Sequence, residues 1–400
     1  MLSDQPALTP RSEIDARIEK LQAALQDDGF DGALILQNTD LFYFTGTIQQ
    51  AHLYVPVDGQ PLLMVRKSLP RAREESPLAD IVALESPRQV PDLIREHGLK
   101  PPAVLGMELD VLPANNYFMY RKIFPASDIR DVSVPIRMIR AVKSVHELEL
   151  IRQAAAFSDR VAQIMPQLLK EGMTEIELAG LVEAQARRLG HQGIVRMRMW
   201  GAEMFYGHLM AGPSAAVPSF LASPTGGASV SSAVAQGAGF RKIGRNEPIL
   251  LDYVFAWQGY ISDHTRIYCI GRPPRMLAEA HGQMLDVQER IKAMAVPGAL
   301  TGDLYEAALA MVYEKGLSEN FMGVGNDRIR FIGHGVGLEL DEFPILAKGQ
   351  QTKLQEGMVI ALEPKLIFPG KGVVGIENTH LVTAKGLSQL TLAEEGIVAV

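Results

Sequence analysis

The chain has 400 residues, of which 47% are apolar and 21% are charged, and its formal net charge is −7. This composition excludes an intrinsically disordered chain, which combines low hydrophobicity with high charge, and it excludes a collagen-like fibre. The acidic balance argues against nucleic-acid and anionic-membrane partners, because both bind basic surfaces.

The first 140 residues alternate between helical and strand patterns. Isoleucine and leucine at helical spacing predict a helix over residues 12–29. Short apolar runs predict strands at residues 32–37, 52–58, 61–67 and 103–108. Gly59 and Gln60 separate the middle two runs as the turn of a hairpin would. The sequence therefore predicts a compact α/β layer domain here.

A domain boundary is predicted at residues 135–145, since a chain of this length usually divides in two. Ser144 and Thr174 each begin a Ser/Thr-x-x-Glu capping box, so we expect a helix to start at each. Residues 212–242 are rich in glycine, serine, alanine and proline. They predict a loop that is mobile, covers a site or forms a dimer contact. Later patterns predict strands at 248–257, 259–270, 328–337, 357–368 and 373–383, and helices at 276–296 and 301–316.

The sequence also predicts a cytoplasmic protein. Cys269 is the one cysteine and cannot form an internal disulfide, so the fold does not depend on an oxidising compartment. The first 20 residues are charged and lack the apolar centre of a signal peptide. No run of about 18 apolar residues is present, so we expect no membrane-spanning helix.

Five candidate metal ligands fall on predicted C-terminal strands or strand ends, and they are Asp252, Asp263, His334, Glu363 and Glu377. The four carboxylates flank two predicted turns in pairs, so two hairpins would bring them to one place. Buried unpaired charges cost several kcal/mol each, and divalent cations would relieve the repulsion. This oxygen-rich ligand set suits Mn²⁺, Co²⁺ or Fe²⁺, or two Zn²⁺.

These motifs resemble the prolidase, aminopeptidase P and creatinase family, whose catalytic domain has the pita-bread fold. The matching segments are VKSVHELELIRQAA at 142–155, ILLDYVFAWQGYISDHTR at 249–266, GHGVGLELDEFP at 333–344, EGMVIALEP at 356–364 and GIENTHLVT at 375–383. NTDLFYFTG at 38–46 is similar to the family's N-terminal domain. The resemblance implies an α/β (α+β) protein: a creatinase-like α/β domain over residues 1–140, then a pita-bread catalytic domain over residues 141–400.

The resemblance also implies a role for each ligand. Two divalent ions are expected, with Mn²⁺ first and Co²⁺, Fe²⁺ or Zn²⁺ as alternatives. Asp252 would bind one ion, His334 and Glu363 the other, and Asp263 and Glu377 would bridge them. Glu363 would also act as general base, taking a proton from a water held between the ions to give the attacking metal-bridged hydroxide. The implied reaction is hydrolysis of a small amide, most simply an Xaa-Pro dipeptide or short peptide, by a homodimer.

Two histidines that bind substrate in the peptidases are replaced in this chain. Ser219 and Asp341 stand at their positions, and Gly375 stands where the family usually has arginine. An ionised Asp341 cannot donate a hydrogen bond to an oxyanion, but it suits a general base or a partner for a cationic substrate. His208 is a candidate replacement imidazole, and a structural histidine is the alternative at that position.

Two other functions therefore stay open. A non-peptidase of the same fold, such as a creatinase-like amidinohydrolase, an ectoine hydrolase or a dimethylsulfoniopropionate lyase-like enzyme, would use Asp341 as base or cation partner. A binding or scaffold protein would keep the fold without catalysis. Such a protein would be expected to have lost metal ligands, and this sequence has all five. All of these readings involve a small peptide or small-molecule partner, rather than nucleic acid or membrane.

Overall fold

The structure, a computed structural model, describes residues 7–400. The chain divides into two compact units, Met1–Arg140 and Ala141–Val400. None of the helices within the described residues combines the length and hydropathy needed to cross a membrane.

The N-terminal unit is built on one six-stranded sheet with the strand order β4-β3-β2-β1-β5-β6. Its strands are β1 Gly32–Ile35, β2 Ala51–Pro56, β3 Leu62–Val65, β4 Ile81–Ala83, β5 Val104–Met107 and β6 Asp128–Asp131. Its helices are α1 Arg11–Asp27, α2 Asn38–Thr45, α3 Leu69–Glu75, α4 Val90–Glu96, α5 Ala114–Ile123 and α6 Ser133–Ala141. The predicted hairpin is present, because β2 and β3 pair antiparallel on either side of Gly59 and Gln60.

The core of this unit follows from the apolar runs in the strands. Leu34 and Leu105 of the sheet pack with Ile94 of α4 and Tyr120 of α5, and all four side chains are buried. Burial of an aliphatic or aromatic side chain of this size contributes about 1.5–3 kcal/mol. The result is the predicted α/β layer arrangement.

The C-terminal unit contains a five-stranded sheet, a four-stranded sheet and a two-stranded hairpin. Its strands are β7 Gly207–Ala211, β8 Ile249–Trp257, β9 Tyr260–Cys269, β10 Phe331–Gly335, β11 Glu342–Ala347, β12 Val359–Leu362, β13 Lys365–Phe368, β14 Gly372–Gly375, β15 Asn378–Thr383, β16 Gly386–Gln389 and β17 Val398–Ala399. Its helices are α7 Val145–Leu168, α8 Glu175–Arg188, α9 Arg275–Met294 and α10 Thr301–Glu314. The sheet orders are β11-β10-β12-β15-β16 and β17-β9-β8-β7, and β13 pairs with β14.

Both predicted capping boxes start a helix. Ser144 Oγ accepts a hydrogen bond from the Glu147 backbone N–H, and the Ser144 N–H donates to the Glu147 carboxylate. Thr174 and Glu177 cap α8 in the same reciprocal way. These bonds satisfy donors that a helix otherwise leaves unpaired at its first turn.

Two hairpins carry the candidate ligands. In the β8/β9 hairpin, Asp252 pairs with Thr265 and Val254 pairs with Asp263. Asp252 and Asp263 therefore lie diagonally on the same face of the sheet, because side chains two residues apart on a strand share a face. In the second hairpin, β13 and β14 place Glu363 and Glu377 just beyond their paired ends.

Three strand predictions near the candidate ligands differ from the structure: the pattern over residues 357–368 forms two strands, β12 and β13, and the pattern over residues 373–383 forms β14 and β15. The pattern over residues 328–337 forms a strand only at Phe331–Gly335. A short 3₁₀ turn at Gly325–Asp327 precedes it, and its pairing with β11 is interrupted by register shifts. These irregularities leave His334 at the end of β10, beside the two hairpins.

Candidate metal centre

Three of the other four candidate ligands surround the imidazole of His334. Its Nε2 lies 3.5 Å from Glu363 Oε1, 3.9 Å from Asp263 Oδ2 and 4.0 Å from Glu377 Oε1. Asp263, His334 and Glu377 each offer one ligand atom, and these atoms lie within 4.8 Å of one another. The sheets thus bring together residues as far apart in the chain as Asp263 and Glu377.

The fifth candidate ligand, Asp252, lies on the other side of the same cluster and contacts a residue that the sequence analysis did not single out. Lys365 Nζ lies 3.1 Å from Asp252 Oδ2, 2.8 Å from Glu363 Oε2 and 2.8 Å from Glu377 Oε2. The lysine side chain is only 1% exposed. A signal for it was present, since Lys365 follows Glu363 by two residues in an extended segment and so shares its face.

Electrostatics divide the cluster into a compensated half and an uncompensated half. Burial lowers the pKa of Lys365, but the three neighbouring carboxylates more than offset this, and the net pKa lies well above its usual value. Burial raises the pKa of Asp252, but Lys365 and His208 lower it by a larger amount, so the net pKa lies below its usual value. On the other side, burial and the nearby Glu377 and Asp252 carboxylates raise the pKa of Asp263 well above its usual value.

Glu377 lies between the two halves. Its Oε2 accepts hydrogen bonds from Lys365 Nζ at 2.8 Å and from Thr265 Oγ1 at 2.9 Å. Burial is the largest effect on this carboxyl and, with Glu363 and Asp252 nearby, raises its pKa to about 8 despite Lys365. One ammonium is therefore too little positive charge for the four carboxylates of the cluster.

An unpartnered atom marks where further positive charge fits. Within residues 7–400, no group forms a hydrogen bond with the buried Asp263 Oδ1. Leaving such an oxygen desolvated and unpaired is costly. Carboxylate oxygens with one imidazole are a donor set that divalent metals bind. The residues on this side of the cluster, Asp263, His334, Glu363 and Glu377, therefore suit a divalent cation.

A cavity of about 330 Å³ opens onto the cluster. Its wall includes all five candidate ligands, Asp252, Asp263, His334, Glu363 and Glu377. The rest of the wall is mainly apolar, and includes Met199, Trp200, Met204, Phe220, Leu340 and Ile345. Trp200 is 95% exposed and Phe220 is 66% exposed, so two large apolar side chains stand where a bound molecule would cover them.

The glycine- and serine-rich segment supplies part of that wall. Phe220 and Ser223 line the cavity. The segment is held by its own backbone, since Gly227 N–H donates to Val217 O at 3.0 Å and Gly237 N–H donates to Gly226 O at 2.8 Å. The glycine- and serine-rich segment is therefore a loop held by internal backbone hydrogen bonds, and part of it lines the cavity.

His208 lies in the same cavity and is buried. It pairs with Asp252 across β7 and β8, and its Nε2 is 3.3 Å from Gln236 Oε1. Burial lowers its pKa, although the Asp252 carboxylate acts in the opposite direction. Burial therefore favours the neutral form of this imidazole beside the carboxylate cluster.

Asp341 also lines the cavity, but its carboxylate is used by the backbone. Oδ1 accepts the Arg198 N–H and Oδ2 accepts the Met199 N–H, both at 2.7 Å. The side chain thus fixes the apolar wall around Met199. Ser219, at the other departure from the family pattern, donates its hydroxyl to Ala235 O.

Comparison with known proteins agrees with this geometry. Residues 149–384 match metallopeptidase family M24, and residues 17–142 match the creatinase/prolidase N-terminal domain. The chain belongs to metallopeptidase family M24. The family predicted from the motifs is thereby confirmed, as is the fold, a creatinase-like α/β domain followed by a pita-bread domain. The chain is thus a member of a metal-dependent hydrolase family.

The similarity to individual relatives extends over nearly the whole chain. The Xaa-Pro dipeptidase of Pyrococcus furiosus is 28% identical over 96% of this chain and 99% of its own length. The Xaa-Pro dipeptidase of Lactobacillus delbrueckii subsp. lactis is 28% identical over 94% and 96%. The crystal structure of the prolidase from Pyrococcus horikoshii OT3 superposes with a TM-score of 0.79 at 25% identity, covering 95% of this chain and 99% of that one.

Proposed function

We propose that this chain hydrolyses the amide bond of a small peptide, with Xaa-Pro dipeptides as the first substrates to test. The observation that carries the proposal is the convergence of Asp263, His334, Glu363 and Glu377 around the unpartnered Asp263 Oδ1. Relatives of similar length that are named Xaa-Pro dipeptidase support the substrate class.

Asp263, His334, Glu363 and Glu377 would hold a divalent cation, with Mn²⁺ as the expected metal and Co²⁺, Fe²⁺ or Zn²⁺ as alternatives. Such a cation supplies Lewis acidity toward a carbonyl oxygen and makes a water more acidic. Whether the expected second ion joins it depends on Lys365, whose ammonium contacts three of the same carboxylates.

Glu363 is the proposed general base. Lys365 holds its Oε2 at 2.8 Å, which leaves Oε1 directed toward His334 and the cavity. A carboxylate fixed in this way can accept a proton from the attacking water, and a positioned base of this kind contributes typically ~10²–10⁴-fold to a rate. His208 is proposed as a neutral hydrogen-bonding group beside the substrate.

The cavity wall determines which substrates fit. About 330 Å³ of mainly apolar space accepts a compact side chain such as the proline ring. Burial of apolar surface around Trp200 and Phe220 would favour such a substrate over one with a charged side chain.

The test is hydrolysis by metal-free protein supplied with Mn²⁺, measured on Xaa-Pro dipeptides and on matched Xaa-Ala dipeptides. We expect cleavage of the proline series that is lost in Glu363→Gln with the fold intact. Cleavage of neither series, with metal bound, would contradict the peptidase proposal.

A second candidate is a non-peptidase reaction on a small molecule. It is favoured by one observation: Ser219 and Asp341, at the two positions of the expected histidines, both direct their side chains to backbone groups. The Ser219 hydroxyl and the Asp341 carboxylate therefore do not supply the hydrogen-bond donors toward an oxyanion that the two histidines would provide in peptide hydrolysis. The same assay, run with small onium and guanidino compounds, discriminates this candidate by product formation from those compounds instead of from dipeptides.

We further propose a cytoplasmic homodimer acting on small molecules. Size-exclusion chromatography with light scattering on the purified chain tests the assembly, and a mass of twice the 43.8 kDa chain is expected. Elution as a monomer at micromolar concentration would contradict it.

A further inference from the structure

Lys365 is a buried cation within a cluster of metal-binding residue types. Its side chain is 1% exposed, and its Nζ contacts Asp252, Glu363 and Glu377 at 2.8–3.1 Å. An ammonium carries three N–H donors and no acceptor. The three carboxylates can therefore accept all three N–H groups of the ammonium, so they form a binding site for this cation.

The carboxylate oxygens are divided between two positions. Glu363 directs Oε1 toward His334 and Oε2 to Lys365. Glu377 does the same, with Oε1 toward His334 and Oε2 to Lys365. Each of these two carboxylates thus spans one position beside His334 and a second position that the ammonium fills. This is the arrangement of two carboxylates that bridge a pair of cations.

The end ligands separate in the same way. Asp252 contacts the ammonium through Oδ2 at 3.1 Å. Asp263 lies on the His334 side, 3.9 Å from Nε2, and keeps its Oδ1 without a partner among the described residues. One position is therefore satisfied by the chain itself, and the other has an open ligand atom.

We propose that the Lys365 ammonium takes the place of one of the two divalent ions, so that the centre binds a single ion at Asp263, His334, Glu363 and Glu377. This inference rests on the proposed metal-dependent function and specifies its cofactor. It departs from the pair of ions that the motifs predict. All five predicted ligands are present in the sequence, but the Lys365 ammonium fills the position that the second ion would take.

The hairpin is built to accommodate this lysine. Gly375 pairs with Lys365 across β13 and β14, and a Cβ at Gly375 would lie 2.6 Å from Lys365 Cα and 2.5 Å from Pro364 O. The φ of Gly375 is +152°, which L side chains rarely adopt. The Lys365 carbonyl also accepts the Met322 N–H at 3.0 Å, so a second segment of the chain holds its backbone.

The test is the number of Mn²⁺ ions bound by the metal-free full-length chain, measured by equilibrium dialysis and electron paramagnetic resonance. For the wild type we expect one equivalent and the six-line signal of an isolated ion. Lys365→Met should bind a second equivalent and lose much of that signal, because two ions about 3.5–4 Å apart couple magnetically. Lys371→Met is the matched control: this exposed lysine lies in the turn of the same hairpin, and one equivalent is expected.

Two equivalents bound to the wild type with similar affinity would overturn the proposal, and so would a Lys365→Met variant that still binds one. If Lys365→Met fails to fold by circular dichroism, the wild-type count alone decides. Failure of the proposed function is distinguishable, because it would give one bound ion without hydrolysis of any dipeptide. No binding at all would overturn both.

Discussion

Lys365 Nζ lies 2.8 Å from Glu363 Oε2, so the residue proposed as general base is oriented by a lysine two positions later in the chain. Both side chains are buried. Lys365 therefore has two effects on the cluster: its charge offsets that of the carboxylates, and its hydrogen bond orients the Glu363 carboxylate. Substitutions in this pair should therefore separate charge, metal binding and turnover.

Glu363→Gln should reduce kcat by at least about 10²-fold, since the amide keeps the volume of the side chain but cannot accept the proton. The measurement is the steady-state rate with whichever substrate the panel identifies. Glu356→Gln, at an exposed position of the preceding turn, is the control and should keep full activity. A Glu363→Gln enzyme with an undiminished rate would exclude Glu363 as the base.

Asp263→Asn should weaken Mn²⁺ binding by an order of magnitude or more. The amide removes the charge of a proposed ligand that is buried and whose Oδ1 has no hydrogen-bond partner in the described part of the chain. Isothermal titration calorimetry on metal-free protein measures the effect. Unchanged affinity would show that the ion binds elsewhere.

Lys365→Met should destabilise the metal-free protein by about 3–5 kcal/mol, because removing one partner leaves buried charges uncompensated. Excess Mn²⁺ should restore much of this loss by binding to the folded state. Urea denaturation with and without the metal measures both effects. Equal stability of wild type and variant without metal would mean that the ammonium contributes no net stabilisation.

The N-terminal unit should lose stability in mild acid. Burial, with a smaller effect from Arg66, lowers the pKa of His52 from 6.5 to about 4. Between these values the unfolded chain binds a proton that the folded chain does not, so stability falls as pH decreases through this window. From pH 7 to pH 5 the expected loss is about 2 kcal/mol for this residue.

His52→Gln should remove that share of the pH dependence. The amide can still bond to the Tyr120 hydroxyl, which lies 2.5 Å from His52 Nε2. Hydrogen exchange of peptides from this unit, measured in increasing urea at pH 7 and pH 5, gives the comparison. A variant with the same acid sensitivity as the wild type would assign the effect to other groups.

Asp341→Asn should raise KM for apolar substrates while leaving metal content unchanged. The carboxylate accepts two backbone N–H groups, from Arg198 and Met199, and the amide can accept through only one oxygen. The wall of the cavity around Met199 would then be less well fixed. A fall in kcat alone, with KM unchanged, would instead favour Asp341 as a base.

Local signals in the sequence predicted much of the fold. The capping boxes at Ser144 and Thr174 and the hairpin at Gly59 depend on residues a few positions apart, and each is present. The convergence of Asp263 with Glu377 was also predictable, because charges in apolar strands require a common partner. These inferences needed no knowledge of packing between distant elements.

Other features depended on contacts that no local pattern encodes. Lys365 lies in an apolar strand pattern, and its role follows from Asp252, 113 residues away. The engagement of Asp341 depends on a backbone segment 143 residues earlier at Arg198. Both features depend on three-dimensional packing. The sequence therefore predicted the types of ligand but did not reveal the Lys365 ammonium among them.

The most direct test of the account is anomalous diffraction at the manganese edge from crystals of the metal-loaded chain. We predict a peak within bonding distance of Asp263, His334, Glu363 and Glu377, with the Lys365 ammonium still between Asp252 and Glu377. Manganese bound only elsewhere, with these four side chains unligated, would contradict it.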